Sequence, residues 1–577
     1  MRWNHHPELD AEATRLAHRF DVHPLTMRVM LNRGIRDEDE VQRFLVSDLG
    51  QLRDPFLFKD MDRAVARIRQ ALVNRERVHI HGDYDVDGLS ATSILLLTLR
   101  RLGADVHYSI AQRGDSVVGL SVEALQRDHL PHRPDLILTA DCGSTNGDAI
   151  DAARAHGVDV IVVDHHQLGS ERPDCVALLN PHQPGCEYPF KSLAAVGVAY
   201  HFSRALEAFL QADDEHHWPP LPLAEYMDIV ALGTVADVVP ILDDNRIFVR
   251  EGLRLICTAR RPGICALMRS ARIIQEGRND SWVERVNART IGYRIAPLIN
   301  AAGRMGDASR CVELLTTDTY RVAVRIGEEL VALNSERQRC EREILQEASE
   351  LADLACERGD EVIVLAQPHW HPGVLGIVAS RLVERLNRPA IVASIDAQGV
   401  ARGSVRSPDR INMLDALNAC GELLETWGGH PLAAGLQVRE ENWEAFVIRV
   451  NEVIRGDLPA SGRPDRRIDV DAIVDLKHLD EAFLRQIALL APFGVGNPEP
   501  ILEARNVQPM QARMQNGTLR VRLRQGGQIA MATGYGLARA MSLLREPVDV
   551  LFSPRAPRED GSMGMAITLH DVKATQR

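Results

Sequence analysis

The sequence predicts an α/β protein: a parallel-sheet domain and a smaller α/β domain joined by one long helix, with a small β-barrel at the C-terminal end. Three observations carry this. From Arg77 onward, short apolar runs at 78–80, 136–140 and 158–163 alternate with helical stretches at 90–102 and 148–156. Strands that alternate with helices build a parallel sheet. Residues 318–359 contain no proline and are rich in Glu, Arg, Leu and Ala, as a long connecting helix should be. Near the C-terminus the pattern changes to paired strand-like segments, TLRVRLRQG and QIAMATGYG, with glycine-rich turns.

In chain order, residues 1–75 read as a helical cap, with Met61, Ala64, Ile68 and Leu72 at helical spacing. Residues 76–317 form the parallel-sheet domain and 318–359 the connecting helix. A second α/β unit covers 360–450: EVIVLAQPHW (361–370) opens it as a strand, a helix follows at 374–386, and another strand at 390–394. Residues 465–577 form the barrel.

A chain of 577 residues exceeds one compact core and divides into several domains. Apolar residues at 45 % and charged residues at 25 % give no compositional case for disorder. The N-terminus lacks a basic region followed by an apolar run, so it does not read as a signal peptide. Apolar runs such as 94–97 are far too short to span a bilayer. The expectation is a cytoplasmic protein with no membrane association. Nine scattered cysteines without CxxC pairs argue against both a disulfide framework and a structural zinc site. The net charge of −13 opposes nucleic-acid binding at first sight, but carboxylates that hold cations contribute to it, and binding depends on local charge.

The chemistry concentrates in HGDYDVDG (81–88), which places Asp83, Asp85 and Asp87 at alternate positions between a strand and a helix. Clustered carboxylates repel one another, and cations are the simplest compensation. For this segment alone, an exposed acidic turn capping the next helix is the rival reading. Two more strands end the same way, one in Asp141 and one in Asp164-His165-His166. Parallel strands direct these ends into one crevice, where open α/β sheets bind ligands. Asp237, which interrupts the apolar segment 225–240, gains its weight from the others. Carboxylates with imidazole and no thiolate favour two Mn²⁺ or Mg²⁺ ions over zinc. Two such ions, ~3.5–4 Å apart, suit phosphodiester hydrolysis.

HGDYDVDG, TADCG (139–143), VVDHHQLG (162–169) and GTVADVVP (233–240) resemble, in order and spacing, the successive motifs of the DHH phosphoesterases. The resemblance implies that Asp85, Asp87, Asp141, His165 and Asp237 are metal ligands. Asp141 would bridge, Asp83 would belong to the same shell, and His166 would contact the scissile phosphate; His81 receives no firm role. WHPGVLGIVASRL (370–382) and GGHPLAAGL (428–436) resemble the associated DHHA1 domain, and APFGVGNPEPIL (491–502) resembles the entry to an oligonucleotide-binding (OB) fold. LLNPHQPGCEYPFKSLAAVGVAYHF (178–202), RIAPLINAAGRMGDAS (294–309) and LNSERQRCE (333–341) narrow the likeness to the family's 5′→3′ exonucleases specific for single-stranded DNA.

Phosphate contacts have a physical basis as well. Arg304 follows an Ala-Ala-Gly turn, Arg406 lies in RGSVRS (402–407), and Gly428-Gly429-His430 forms a tight turn. Short side chains at each let backbone amides and guanidinium reach a phosphate. Asn300, Arg304, Ser404, Arg406, Gly429 and His430 form the expected strand-binding set, with Arg304 and His166 also stabilising phosphoryl charge. Arg520, Arg522 and Arg524 alternate on one strand and add a local basic face to the barrel. Two departures from the family pattern bear on substrate handling. QRGDSVVGLS (112–121) lacks a tyrosine, and Leu298 stands where an arginine is usual.

The resemblance thus implies an enzyme of DNA repair and recombination that degrades single-stranded DNA to 5′-mononucleotides, with single-strand-binding protein and a helicase as partners. A phosphodiesterase acting on nano-RNA or a cyclic dinucleotide is the first rival, and relatives of that kind lack the barrel. The second is a strand-binding scaffold without activity, which retention of the five ligands opposes.

Overall fold

A computed structural model describes residues 2–7, 9–113, 119–274, 286–458, 467–555 and 565–575. A short strand, β1 (Arg2–His5), is followed by helices Asp10–Phe20, Pro24–Asn32, Glu38–Val46 and Met61–Asn74. Five parallel strands come next: β2 (Arg77–Gly82), β3 (Asp105–Ile110), β4 (Leu136–Ala140), β5 (Asp159–Val163) and β6 (Ala177–Leu179). Their order is β3-β2-β4-β5-β6. Every residue of β4 is buried, as expected for a strand covered on both faces. β3 lies on one side of β2 and β4 on the other, so the strand order reverses between β2 and β4. A crevice opens at the carboxyl ends of two such strands. Asp83 directly follows β2, and Asp141 directly follows β4.

The helix Tyr320–Arg358 ends at Gly359, whose φ of +83° is a left-handed cap. Its first part, with Ala323, Ile326 and Leu330, belongs to the core of the parallel-sheet domain. Its last part, with Ile344, Ala348, Ala352 and Ala355, belongs to a separate core with Trp370, Val374 and Leu375. One rigid element therefore serves two lobes. The second lobe carries β7 (Ile363–Gln367), β8 (Ala390–Ile395), β9 (Val400–Arg406), β10 (Thr426–His430) and β11 (Ala433–Arg439), in the order β10-β11-β9-β8-β7.

Strand β12 (Arg467–Val470) pairs in parallel with β1. After β13 (Ala472–Ile473) come β14 (Leu502–Gln515), β15 (Thr518–Gln525), β16 (Gln528–Tyr535), β17 (Val548–Pro554) and β18 (Met565–Ala574). The last five close into a barrel, because β17 pairs with both β18 and β14. The N-terminal helical region divides in two. Leu16, Met27, Met30, Leu31 and Phe44 share a core with the barrel, whereas Met61, Ala64 and Ile68 pack within the parallel-sheet domain. Helical periodicity marks such segments as amphipathic without saying which partner buries the apolar face. No helix among the described residues is long and apolar enough to cross a membrane.

Candidate metal centre and basic cleft

Three acidic residues of the centre are placed by backbone features. Asp85 caps the helix Val86–Arg101, its Oδ1 accepting from the N–H groups of Asp87 (2.9 Å) and Gly88 (3.1 Å). Asp87 lies in the first turn of that helix, and its carboxylate accepts from Ala195 N–H (2.6 Å) and Val196 N–H (3.0 Å) at the start of the helix Ala195–Gln211. A Cβ on residue 233 would lie 2.8 Å from Asp87 Oδ1, so Gly233 clears this approach. Asp141 sits at φ +67°, a left-handed conformation that Asp tolerates, and its N–H donates to Val163 O at 2.9 Å. The side chain thereby turns off the end of β4 into the crevice.

Three overlapping donor groups result, one of them Asp141, His165 and His166, and the other two divide the acidic residues between them. Asp87, His165 and Asp237 bring ligand atoms within 4.8 Å of one another, and so do Asp83, Asp85 and Asp141. The groups adjoin: His165 Nε2 lies 3.3 Å from Asp141 Oδ1, 3.7 Å from Asp237 Oδ2 and 3.9 Å from Asp87 Oδ2. Four buried donor atoms, Asp83 Oδ1, Asp141 Oδ1, His165 Nε2 and Asp237 Oδ2, have no hydrogen-bond partner, the short His165–Asp141 approach included. Orphaned oxygens and an orphaned imidazole nitrogen in one crevice suit divalent cations.

The electrostatics agree. Burial, then repulsion from Asp85, pushes the Asp83 and Asp87 carboxyls up to about 7. Asp141 and Asp237 are driven well above the usual carboxylate range by burial and by neighbouring acids, Asp87 first. Burial and the adjacent His166 lower His165 to about 4, leaving a neutral imidazole able to coordinate. Asp164 behaves differently. Although fully buried, it accepts from Ser144 N–H (3.0 Å), His165 N–H (2.7 Å) and His166 Nδ1 (2.8 Å). It positions His166, whose imidazole it raises to about 9 against the cost of burial. His81 is also buried and joins no donor group; its Nδ1 lies 2.9 Å from His129 Nε2.

A cavity of about 450 Å³ adjoins the centre, lined by Tyr84, Gln112, Arg113, Arg304, Asp307 and His371 among others. Arg304 lies in the last turn of the helix Ala296–Met305 and reaches the second lobe, donating through Nη1 to Gly373 O at 2.9 Å. Added Cβ atoms would lie 2.6 Å from Tyr84 O at Gly303 and 2.4 Å from Arg304 O at Gly373, so both lobes depend on glycine to close here. Arg113 lies over the Tyr84 ring, 4.4 Å from its centroid. Burial, then Arg113 and Arg337, lowers Arg304 to about 10; burial, then Arg113, lowers Arg406. Crowded guanidinium groups of this kind favour an anion between them.

The other expected residues divide between the second lobe, the first domain and the barrel. Arg406 pairs with Ala433 and Ala433 with His430, so Arg406 and His430 share a sheet face; Ser404, Gly435 and Gly428 form the next row. Gly429 has φ +134°, and a Cβ there would lie 2.6 Å from Ala433 O. Asn300 sits one turn before Arg304 on the same helix. Leu298 is buried in the core, so the departure from arginine falls on a packing position. Of the altered loop, 114–118 lies outside the described residues. Arg520, Arg522 and Arg524 alternate as exposed positions along β15 on the barrel, apart from the metal centre. Tyr84, Arg113 and His371 were not singled out from sequence. A lone Tyr between two ligands and an Arg before a loop carry no pattern of their own.

Comparison with known proteins places these features in a family. Residues 77–234 match the DHH family, N-terminal domain, residues 359–456 the DHHA1 domain, and residues 470–571 the RecJ OB domain. The chain is 34 % identical to the single-stranded-DNA-specific exonuclease RecJ of Salmonella typhimurium, covering 84 % of each. It is also 34 % identical to the Bacillus subtilis exonuclease of that name, over 87 % of this chain but only 61 % of the relative's length. Crystal structures of RecJ from Thermus thermophilus with Mn²⁺ and with Mg²⁺ superpose at TM-scores of 0.83 and 0.77. Each covers 100 % of this chain, at 32 % and 30 % identity, and the chain covers 80 % and 79 % of them.

Proposed function

The chain belongs to the RecJ family of DHH phosphoesterases, and on that premise we propose that it is a metal-dependent hydrolase that degrades single-stranded DNA 5′→3′ to 5′-mononucleotides. The observation that carries the reading is the adjoining pair of acidic donor groups beside a basic cavity lined by both lobes. Asp87, His165 and Asp237 would hold one cation and Asp83, Asp85 and Asp141 the other, with Asp141 between the two groups. The donor set and the Mn²⁺ and Mg²⁺ of the relatives support either metal. When bound, two such ions lower the pKa of a water and neutralise phosphoryl charge during in-line displacement.

The remaining roles belong to the protein. His166, held at Nδ1 by Asp164, has Nε2–H left to donate to a phosphoryl oxygen. Arg304, tied to Gly373, adds a second cationic donor and keeps the lobes together. Ser404, Arg406, Gly429 and His430 hold the terminal phosphate, and Asn300 supports Arg304. The barrel arginines grip the strand beyond, which a dinucleotide would not need. Because the substrate is single-stranded, an activity that opens duplex must supply it, so a helicase and single-strand-binding protein are the proposed partners in repair and recombination. Free cysteines throughout the chain support a reducing, cytoplasmic setting.

The test is a time course on oligonucleotides labelled at either end, with Mn²⁺ or Mg²⁺ and with duplex and RNA controls. Mononucleotides should appear first from the 5′ end of single-stranded DNA and be absent with Asp141→Ala. Cleavage confined to dinucleotides, or binding without cleavage, overturns the reading.

A further inference from the structure

Five histidines gather on the face of the parallel sheet away from the helix Val86–Arg101, and the proposed hydrolysis uses none of them. His79 and His81 alternate on β2 and so share a face. His107 on β3 stands opposite His79, and Ser109 opposite His81. His129 and His132 follow in the segment that covers this face. Ring centroids lie 4.3 Å apart for His79–His129, 5.5 Å for His79–His132, 6.0 Å for His107–His132 and 6.5 Å for His79–His107. His79 and His129 are 1 % and 0 % exposed, whereas His107 and His132 are exposed.

The nitrogens of this cluster are unevenly used. His79 Nε2 lies 3.2 Å from Ser109 Oγ, and its Nδ1 is buried with no hydrogen-bond partner. His129 likewise has a partnered Nε2 and an orphaned, buried Nδ1. His107 Nε2 meets Asp105 Oδ1 at 3.1 Å, which leaves Nδ1 to face outward from that pair. A carboxylate behind one ring nitrogen fixes the tautomer and strengthens the other nitrogen as a ligand. An orphaned imidazole nitrogen costs desolvation energy that a cation would recover.

We propose that His79, His107 and His132 form a second metal site, for one transition-metal ion of the zinc class, on this flank of the parallel sheet. Two imidazoles on one tetrahedral zinc, each with Zn–N of about 2.0–2.1 Å, place their ring centroids about 5 Å apart. The three separations here, 5.5, 6.0 and 6.5 Å, exceed that value and the three rings do not yet present their nitrogens within 4.8 Å of one another, so binding requires the two exposed rings to move inward onto His79. His79 is the fixed ligand, through Nδ1; His107, oriented by Asp105, and His132 move onto the ion. The donor set also separates the two sites chemically. Imidazoles without a carboxylate in the first sphere select zinc, nickel or copper, while the acidic groups at the strand ends select manganese or magnesium. The site connects inward as well. His129 packs against His79 and meets His81 Nδ1, and His81 is two residues before Asp83 on the chain.

Full-length protein without a histidine tag, stripped of metal and then saturated with Mn²⁺, is titrated with Zn²⁺ by calorimetry, with bound zinc counted after dialysis. The expected result is one retained zinc per chain that Mn²⁺ does not displace. It should be lost in His107→Ala/His132→Ala and weakened about 10–100-fold in Asp105→Ala, the usual effect of removing a ligand's carboxylate partner, and kept in Asp141→Ala. Both altered histidines are exposed, so folding, checked by circular dichroism, should survive, and nuclease activity with Mn²⁺ should be unchanged. Zinc retained by the double variant, or lost from Asp141→Ala, overturns the proposal. Because hydrolysis with Mn²⁺ is measured on the same samples, failure of the zinc site is distinguishable from failure of the proposed activity.

Discussion

Strand β2 serves two opposite chemistries, and the comparison shows how a protein stores function in buried charge. Its carboxyl end leads into Asp83, Asp85 and Asp87, whose burial beside Asp141 and Asp237 leaves oxygens unpaired and proton affinities raised. Its flank carries His79, where burial has the reverse effect: the imidazole is lowered to about 3 and stays neutral. A buried imidazole escapes its desolvation cost by losing a proton, but a cluster of buried carboxylates must either gain protons or bind cations. The first arrangement carries no charge that an ion must offset at neutral pH. The second waits for a ligand.

The largest effect that would break this contrast is at Asp141. Asp141→Asn should lower activity by on the order of 10³-fold, since the catalytic ions contribute several kcal/mol. The same change should raise the melting temperature of chelated protein, because it removes a carboxylate from a repulsive cluster, while reducing the stabilisation that added Mn²⁺ gives the wild type. Calorimetric scans with and without chelator check both; a lower melting temperature for the variant in chelator would mean the cluster is not strained.

A smaller effect is expected where the two chemistries meet, at Asp164 and His166. Asp164→Asn should cost roughly 10–100-fold in activity, as loss of a positioning carboxylate usually does. With its first supporting partner gone, the His166 imidazole should fall from about 9 towards its ordinary range. Activity that needs the imidazolium would then fade at lower pH than in the wild type, so a pH–rate profile should show the alkaline limb moved down. An unmoved limb would separate His166 from the rate.

The smallest effect concerns the flank. His79 takes up a proton near 6.5 when unfolded but only at about 3 when folded. The unfolded state therefore binds more protons between these values, and stability falls as pH falls across that window, by at most about 1.4 kcal/mol per pH unit for this group. Above 6.5 the contribution is complete. Urea melts of metal-free His79→Gln and wild type, from about pH 7 to about pH 5, should show a shallower loss in the variant.

Much of the centre was legible along the chain because its determinants are local. A short apolar run, an acidic residue and a helix start occur at HGDYDVDG and at TADCG, and each element reports its own burial. The long helix was equally plain from its uninterrupted composition. By contrast, β3 was not anticipated: DVHYSI is an edge strand with exposed Asp105 and His107, so its apolar signal is weak. Asp164 stands in the same run as His165, yet only the surrounding donors show that it positions His166 rather than meeting a metal. Arg113 and Tyr84 meet across a long stretch of chain and mark no spacing in either segment.

The sequence by itself thus determined which residues could carry charge chemistry, the alternation of strand and helix that builds a parallel sheet, and the order of the motifs. Periodicity and composition act over a few residues, and these features need no more. Tertiary structure alone decided that the first three helices pack on the barrel, that Arg304 joins the two lobes at Gly373, and that five histidines share one face. Burial and the distance between charges set these outcomes. Both depend on which surfaces meet in space, and no stretch of chain contains that information alone.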